Sequence, residues 1–390
     1  MNKFFSLHNF LEKRIVYFII IFFSIFFSAS TFASAAQNEN HMSMSKIFIT
    51  PSDEMYAVFT CATKKNREVN TDSVFFRVMK LKDKEWVQVG KDLHIESKTS
   101  LVSGFAVFND DTVILSLKDN FKHIKPQHAV LFTMSNGSWK SHDLHQFNIY
   151  SIQYGSFSQK GGFCFFATTN KYGQGYFFKF FNNTIEQLGE IVDASEDGVL
   201  AASSDGDLYI FGIVNGPPGK LGTVARWDGA KWVSLGAGLD AEANIPQYVL
   251  FFNSISVASN GTVYVAGRFN KSGKKTIRAF ARYEGNKWNG FNFARKSNIS
   301  DLDTGTCIAA ATDNSAYALF NDSLYHCIKG NCSLVVADKE HSPKDITIAP
   351  DNSIYSIFSH LTPQSGGGMV TNLAKIVNNK WVVVGDEFIY

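Results

Sequence analysis

The reactive side chains of this 390-residue chain fall into four groups, and their spacing limits what chemistry each can do. Cys327 and Cys332, in "HCIKGNCS", stand across a turn-forming segment. Two thiols so placed either oxidise to a disulfide or remain as small buried apolar groups. Cys61, Cys164 and Cys307 lack the C-x-x-C spacing of a zinc site. A cationic group comprises Lys271, Lys274, Lys275 and Arg278 in "NKSGKKTIR", with Lys220 in "NGPPGK". Its chemistry is attraction of an acidic surface, set against the plain alternative of a solvated charge run. Four histidines, His123, His128, His142 and His145, gather in one stretch. Residues three apart on a strand point to opposite faces, so His142 and His145 do not converge on a metal without a bulge, and a buried, hydrogen-bonded His142 is expected. Asp193, Glu196, Asp197, Asp205 and Asp207 do not match the twelve-residue calcium loop, and turn aspartates account for them. The chain has no G-x-S-x-G, P-loop, H-E-x-x-H or dinucleotide fingerprint. No catalytic residue, metal ligand or cofactor is therefore assigned. Paired carboxylates brought together from distant segments stay open, because glycoside cleavage needs spatial separation and no particular sequence spacing.

The elements that position these groups repeat. A Trp-like residue recurs at Trp86, Trp139, Ile185, Trp232, Trp288, Cys332 and Trp381. Five residues before each stands a second large apolar residue or cysteine: Leu81, Met134, Phe180, Trp227, Tyr283, Cys327 and Ile376. An apolar residue three positions later is often followed by glycine, as at Gly90, Gly189, Gly236 and Gly385. Asn, Asp and Gly fill the turns between the paired residues, which predicts a hairpin with its two large side chains opposed. A second hairpin precedes each, as in "SVASNGTVYVAG" and "TIAPDNSIYSIF". Four strands per unit at a period in the forties predict propeller blades. The expected fold is all-β, a seven-bladed β-propeller of four-stranded antiparallel blades at approximately 46–90, 102–143, 150–189, 198–236, 252–292, 305–336 and 345–390. Blade 1 should pack on blade 7 without an N-terminal strand completing the last sheet. The same register would bring Cys327 and Cys332 together, so a cross-strand disulfide is expected, the alternative being two free thiols.

"TVYVAGRF" resembles the kelch strand that ends in paired glycines, and "RYEGNKW" resembles the kelch Tyr-turn-Trp hairpin. The chain from Lys46 to Tyr390 thus resembles kelch-like and galactose-oxidase-type propellers, with Gly212 and Gly267 keeping one glycine each in blades 4 and 5. The resemblance implies the fold. A galactose oxidase would imply a copper site of tyrosines, histidines and a thioether-linked cysteine, and that set has no counterpart at these positions.

Lys3, Lys13 and Arg14 precede the apolar run Ile15 to Phe27 and the small-residue stretch ending at Ala35. That order predicts a signal peptide over 1–35 and a flexible mature N-terminus over 36–45; membrane contact follows only if the segment is uncleaved. Export predicts a secreted or envelope location, periplasmic in a bacterium, and permits a disulfide. The chain has 37 basic and 35 acidic side chains, a balance that lacks the cationic excess nucleic-acid binding needs. Connections B to C and D to A vary in length and would share one face, where binding usually resides. The expected function is non-catalytic binding of a protein or glycan there by a monomer. An extracytoplasmic hydrolase or oxidase with its site at the channel mouth is the alternative, and an envelope assembly component is a third.

Overall fold

The computed structural model describes residues 41–385 apart from 63–73, 96–99, 109–111, 120–129, 150, 159, 170–173, 195–197, 217–218, 241–250, 294–303, 338–341, 344 and 362–368. The segment read as a signal peptide lies outside the described residues. Seven antiparallel units follow one another in sequence order, each running A, B, C, D. Blade 1 comprises His41–Ile49, Met55–Ala62, Val74–Lys82 and Glu85–Gln88. Blade 2 comprises Ser100–Phe108, Thr112–Asp119, Val130–Ser135 and Ser138–Asp143. Blade 3 comprises Ser151–Ser158, Gly162–Thr168, Gln174–Phe181 and Thr184–Ala194. Blade 4 comprises Val199–Ala202, Leu208–Gly216, Gly219–Trp227 and Trp232–Ser234. Blade 5 comprises Phe251–Val257, Val263–Arg268, Phe280–Glu284 and Lys287–Gly290. Blade 6 comprises Cys307–Ala310, Ala316–Phe320, Ser323–Ile328 and Asn331–Ala337. Blade 7 comprises Thr347–Ile348, Ile354–Leu361, Met369–Val377 and Lys380–Val383. The single helical turn among the described residues is a 3-10 turn at His145–Phe147.

The A strand of blade 1 begins at His41, so residues 41–45 belong to the first sheet and not to a flexible N-terminus. Their ladder with the B strand, from His41 opposite Ala62 to Met44 opposite Phe59, supplies the hydrogen bonds that hold them. Each A strand touches the next, and that of blade 7 returns to that of blade 1. The ring therefore closes by packing, and among the described residues no strand crosses between blades 1 and 7. Blades 3 and 4 are joined more tightly: the long D strand of blade 3 pairs at Asp193 and Ala194 with Asn215 and Val214 of blade 4.

The repeated pair occupies directly opposed positions in all seven C–D hairpins: Leu81 with Trp86, Met134 with Trp139, Phe180 with Ile185, Trp227 with Trp232, Tyr283 with Trp288, Cys327 with Cys332, and Ile376 with Trp381. Trp86, Trp232 and Trp288 are buried, whereas Trp139 and Trp381 are half-buried. The glycine of the motif has a physical cause. Gly236 sits at φ +59 beneath the next blade's pair, where an added Cβ would lie 3.1 Å from Tyr283 Cε2. Gly385, at φ +81, meets Trp86 in the same way at 2.6 Å from Nε1, and so carries the motif across the closure from blade 7 to blade 1. Tryptophan also bonds backward, with Trp139 Nε1 donating to Lys91 O at 2.6 Å and Trp288 Nε1 to Leu235 O at 2.8 Å.

Blade 6 replaces the aromatic pair with the Cys327–Cys332 disulfide. Two sulfurs fill less volume than an aromatic pair, and blade 5 supplies the difference. Its Asn292–Phe293 segment pairs in parallel with Asn331 and Cys332. Phe293 then packs edge-on against Tyr325 at 4.9 Å, and Phe291 joins the same cluster.

Candidate functional site

Four A strands carry an extra residue near their loop-bearing ends, at Ser45, Ser103, Gln153 and Asn253. A bulge leaves one residue out of the ladder and re-aims its side chain. Here the polar groups fold back onto the scaffold. Ser45 Oγ lies 2.6 Å from Thr60 Oγ1, Ser103 Oγ lies 2.9 Å from Ser116 Oγ, and Asn253 Nδ2 donates to Gly305 O at 2.8 Å.

Farther along the inner strands, serines join neighbouring blades. Ser156 Oγ accepts from Ala202 N at 3.0 Å, Ser254 Oγ donates to Ile308 O at 3.0 Å, and Ser256 Oγ accepts from Ala310 N at 2.9 Å. Adjacent inner strands are not laddered to each other, and these hydroxyls satisfy backbone groups that would otherwise lack a partner. Asp345, just before the A strand of blade 7, accepts from Ile346 N at 2.8 Å and from Cys307 Sγ at 3.1 Å. Burial and the Asp345 charge hold the Cys307 thiol well above its ordinary range. Several polar groups of the inner strands are thus engaged by the scaffold, whereas Ser151 Oγ, Gln153 Oε1 and Tyr154 OH on the inner strand of blade 3 are buried without a partner among the described residues.

The predicted cationic cluster lies on the loop-bearing face of blade 5. Lys271 and Ser272 pair with Thr276 and Lys275 in a two-stranded hairpin turning at Lys274. The hairpin is fastened to the connection leaving blade 4. Asp240 N donates to Lys271 O at 2.9 Å, Lys271 N to Asp240 O at 3.2 Å, and Ser272 Oγ to Gly238 O at 2.7 Å. Lys274 and Lys275 are exposed, Lys271 and Arg278 are half-buried, and Lys275 Nζ donates to Asn289 Oδ1 at 3.0 Å. Lys220 stands at the head of the C strand of blade 4, opposite Asn215. The structure therefore groups the three lysines on one fixed element, places Arg278 just beyond it, and leaves Lys220 on the neighbouring blade.

The same face presents two residues that loop composition did not single out. Phe251 opens the A strand of blade 5 with 45% of its surface exposed. The Arg268 guanidinium lies 5.0 Å from its ring centre while Nε donates to Thr304 Oγ1 at 3.0 Å. An arginine stacked on an exposed ring keeps its remaining donors in a fixed fork suited to a carboxylate or sulfate. The sequence signal was faint: the first Phe of "LFFNSIS" and the Arg that ends "TVYVAGR".

The remaining candidates have structural roles. His142 is buried, its Nε2 lies 2.8 Å from Thr133 Oγ1, and its ring packs 4.8 Å from that of Phe180. Burial, aided by Lys140, depresses its pKa. His123 and His128 lie outside the described residues, as do Glu196 and Asp197. Asp205 forms an exposed ion pair with Lys160 at 2.8 Å, and Asp207 lies 3.9 Å from Arg226. Among the described residues no three His, Cys, Asp or Glu side chains converge as metal ligands.

No protein-family model matches the chain, and no curated protein matches it either. Solved structures do. Prolyl oligopeptidase B from Galerina marginata superposes with a TM-score of 0.51 at 10% identity, covering 91% of this chain and 52% of that one. A GH74 xyloglucanase from Xanthomonas campestris gives 0.49 at 11% identity, with 86% and 52% covered. An extracellular domain from a B. thetaiotaomicron two component system gives 0.48 at 8% identity, with 90% and 46% covered. The chain spans about half the length of these proteins. At 10% identity and a TM-score of 0.51, the likeness to the oligopeptidase shows a shared fold alone.

Proposed function

We propose that the chain is a divergent kelch-like, extracytoplasmic propeller that binds an acidic protein or glycan surface through its loop-bearing face, without catalysis. The observation that carries this reading is the fastened hairpin at Lys271–Ser272 and Lys275–Thr276, which holds exposed lysines on a rigid base. Lysines on a free loop lose conformational entropy on binding, and a pinned hairpin has already lost much of it. Arg268 on Phe251 adds a second anion-binding group on the same face of blade 5. The polar atoms of Ser156, Ser254 and Asp345 along the inner strands are committed to the scaffold, which supports binding over chemistry at those positions. The Cys327–Cys332 disulfide supports export to an oxidising compartment.

The test uses two acidic probes, heparin and poly-glutamate, each immobilised and titrated with protein at low and moderate salt. Association should fall with salt, and the triple variant Lys271→Glu, Lys274→Glu, Lys275→Glu should associate several-fold more slowly with a flatter salt dependence. Thermal unfolding should stay nearly unchanged, because exposed charges contribute little to stability. Identical association by wild type and variant removes the hairpin from the binding surface.

A further inference from the structure

The opposite end of the ring, where the A–B and C–D turns emerge, carries a second feature unrelated to the basic hairpin. A cleft of about 420 Å³ opens there between blades 2 and 3, within the size range of small-molecule sites. Phe108, Phe157, Phe180 and Phe181 line it, and Lys140 stands exposed at its rim. Phe108 meets Phe157 edge-on at 5.8 Å and Phe181 at 6.3 Å, so the walls are ordered aromatic faces and edges.

Comparison among the seven repeats singles out this place. The residue that ends the A strand and enters the A–B turn is Thr50, Ser158, Ser203, Ala258, Ala311 or Ala349 in six blades, each small and buried. Blade 2 has Phe108 there, and its ring is only half-buried, facing the cleft. Core packing does not require that ring, because six blades complete the same turn without it. Among the described residues that line the cleft, Lys140 is the one charged group and makes no ion pair, while the Lys179 ammonium lies 5.4 Å over the Phe181 ring.

We propose that this cleft binds a small organic anion with a flat apolar body, an aryl or arylalkyl carboxylate, its body among the phenylalanines and its carboxylate at Lys140. Rings lined by aromatic edges and faces gain dispersion and quadrupole contacts beyond area burial. The rim lysine supplies charge selectivity. Behind the cleft, Thr133 joins its lining to His142, and Phe180 touches the same imidazole, so occupancy changes the surroundings of His142.

The probe is 4-phenylbutyrate, with 4-phenylbutylamine as the cationic counterpart of the same body. Titration calorimetry reads affinity, and the His142 ring resonance reads location. The carboxylate should saturate and displace the His142 signal, with the amine at least tenfold weaker. Lys140→Glu should weaken the carboxylate about fivefold and narrow its advantage over the amine. Ser135→Trp should block the cleft and abolish binding, and Thr112→Trp on the opposite wall repeats the steric test should the first variant misfold. The Lys271→Glu, Lys274→Glu, Lys275→Glu protein should bind the carboxylate as wild type does, which separates this site from the loop-bearing face. No saturation at 10 mM, equal affinity for acid and amine, or undiminished binding by a folded cleft-filling variant overturns the proposal.

Discussion

At the scale of single residues, the glycine that follows each tryptophan hairpin shows why a degenerate repeat still specifies a ring. Gly236 combines a left-handed backbone with a site where the next blade's Tyr283 leaves no room for a Cβ. Gly236→Ala should therefore cost about 1–3 kcal/mol, visible as a lowered midpoint in urea with an unchanged slope. Trp288→Phe, which loses part of the buried indole packing together with the bond to Leu235 O, should cost about 2–3 kcal/mol in the same assay. The thiols give a second check. Cys61, Cys164 and Cys307 are buried and free, and burial pushes Cys164 up to about 12. Folded protein at pH 8 should take no iodoacetamide, denatured protein three equivalents, and denatured and reduced protein five. His142 gives a pH signature. Its folded pKa is depressed by burial, so the unfolded chain takes up the proton first as pH falls below the ordinary histidine value of about 6.5. Stability should drop as the pH goes from 7 toward the depressed value, and His142→Gln should show a shallower drop in thermal midpoint over that range. The hydrogen-bonded, buried His142 was legible because it replaces an apolar residue of the repeat. Arg268 and Phe251 were not, since their stacking depends on two strands whose register the sequence does not announce.

At the scale of elements, spacing within a hairpin was the readable quantity. Five residues between paired positions leave four for a turn, and a two-residue period then fixes which side chains oppose one another. That logic placed Cys327 opposite Cys332 as firmly as Tyr283 opposite Trp288. It could not show how blade 6 recovers lost volume, because Phe293 arrives from another blade through a parallel pair. Replacing both cysteines with alanine should cost roughly 2 kcal/mol on the chain-entropy account of a short loop. Phe293→Ala should cost about 3–5 kcal/mol, since it empties the space between Phe280, Phe320 and Tyr325. Urea unfolding of the two variants side by side decides which of them carries the junction. The A–B turns follow an equally local rule. Asp53, Gly261, Asn314 and Asn352 hold positive φ at one turn position, and the residue types that tolerate it recur there. Asn314 and Asn352 then accept bonds from the preceding blade's turn, at Ser259 and Thr312, which ties blades 5, 6 and 7 together at that end. Blades 2 and 3 have the cleft in the corresponding place, and only a comparison of turn residues across repeats hints at it.

At the scale of the molecule, seven blades that follow one another in chain order make that order almost incidental to the ring. Blade 1 meets blade 7 as other neighbours meet, through Trp86 against Gly385 and inner strand against inner strand. Solenoid-like repeats draw stability from each unit and its interfaces, and closing them into a ring adds one interface that a linear array lacks. Two junctions add strand pairing to this packing: between blades 3 and 4 the D strand of blade 3 continues into a ladder with Asn215 and Val214, and between blades 5 and 6 Asn292–Phe293 pairs in parallel with Asn331 and Cys332. A circular permutant that links residue 385 to residue 41 and opens the chain in the 241–250 connection breaks no described strand pairing. It should unfold in one transition within a few degrees of wild type. Opening instead after Ala194, at 195–197, leaves the Asp193 and Ala194 pairs held only by interblade contact. That permutant should melt lower, and hydrogen exchange should be fastest along Thr184–Ala194. Equal melting of the two permutants would mean that the shared ladder adds nothing to the junction of blades 3 and 4. A large loss in the first permutant would instead place a structural demand on the continuity of blades 4 and 5, through the Asp240 to Lys271 bridge that fastens the basic hairpin.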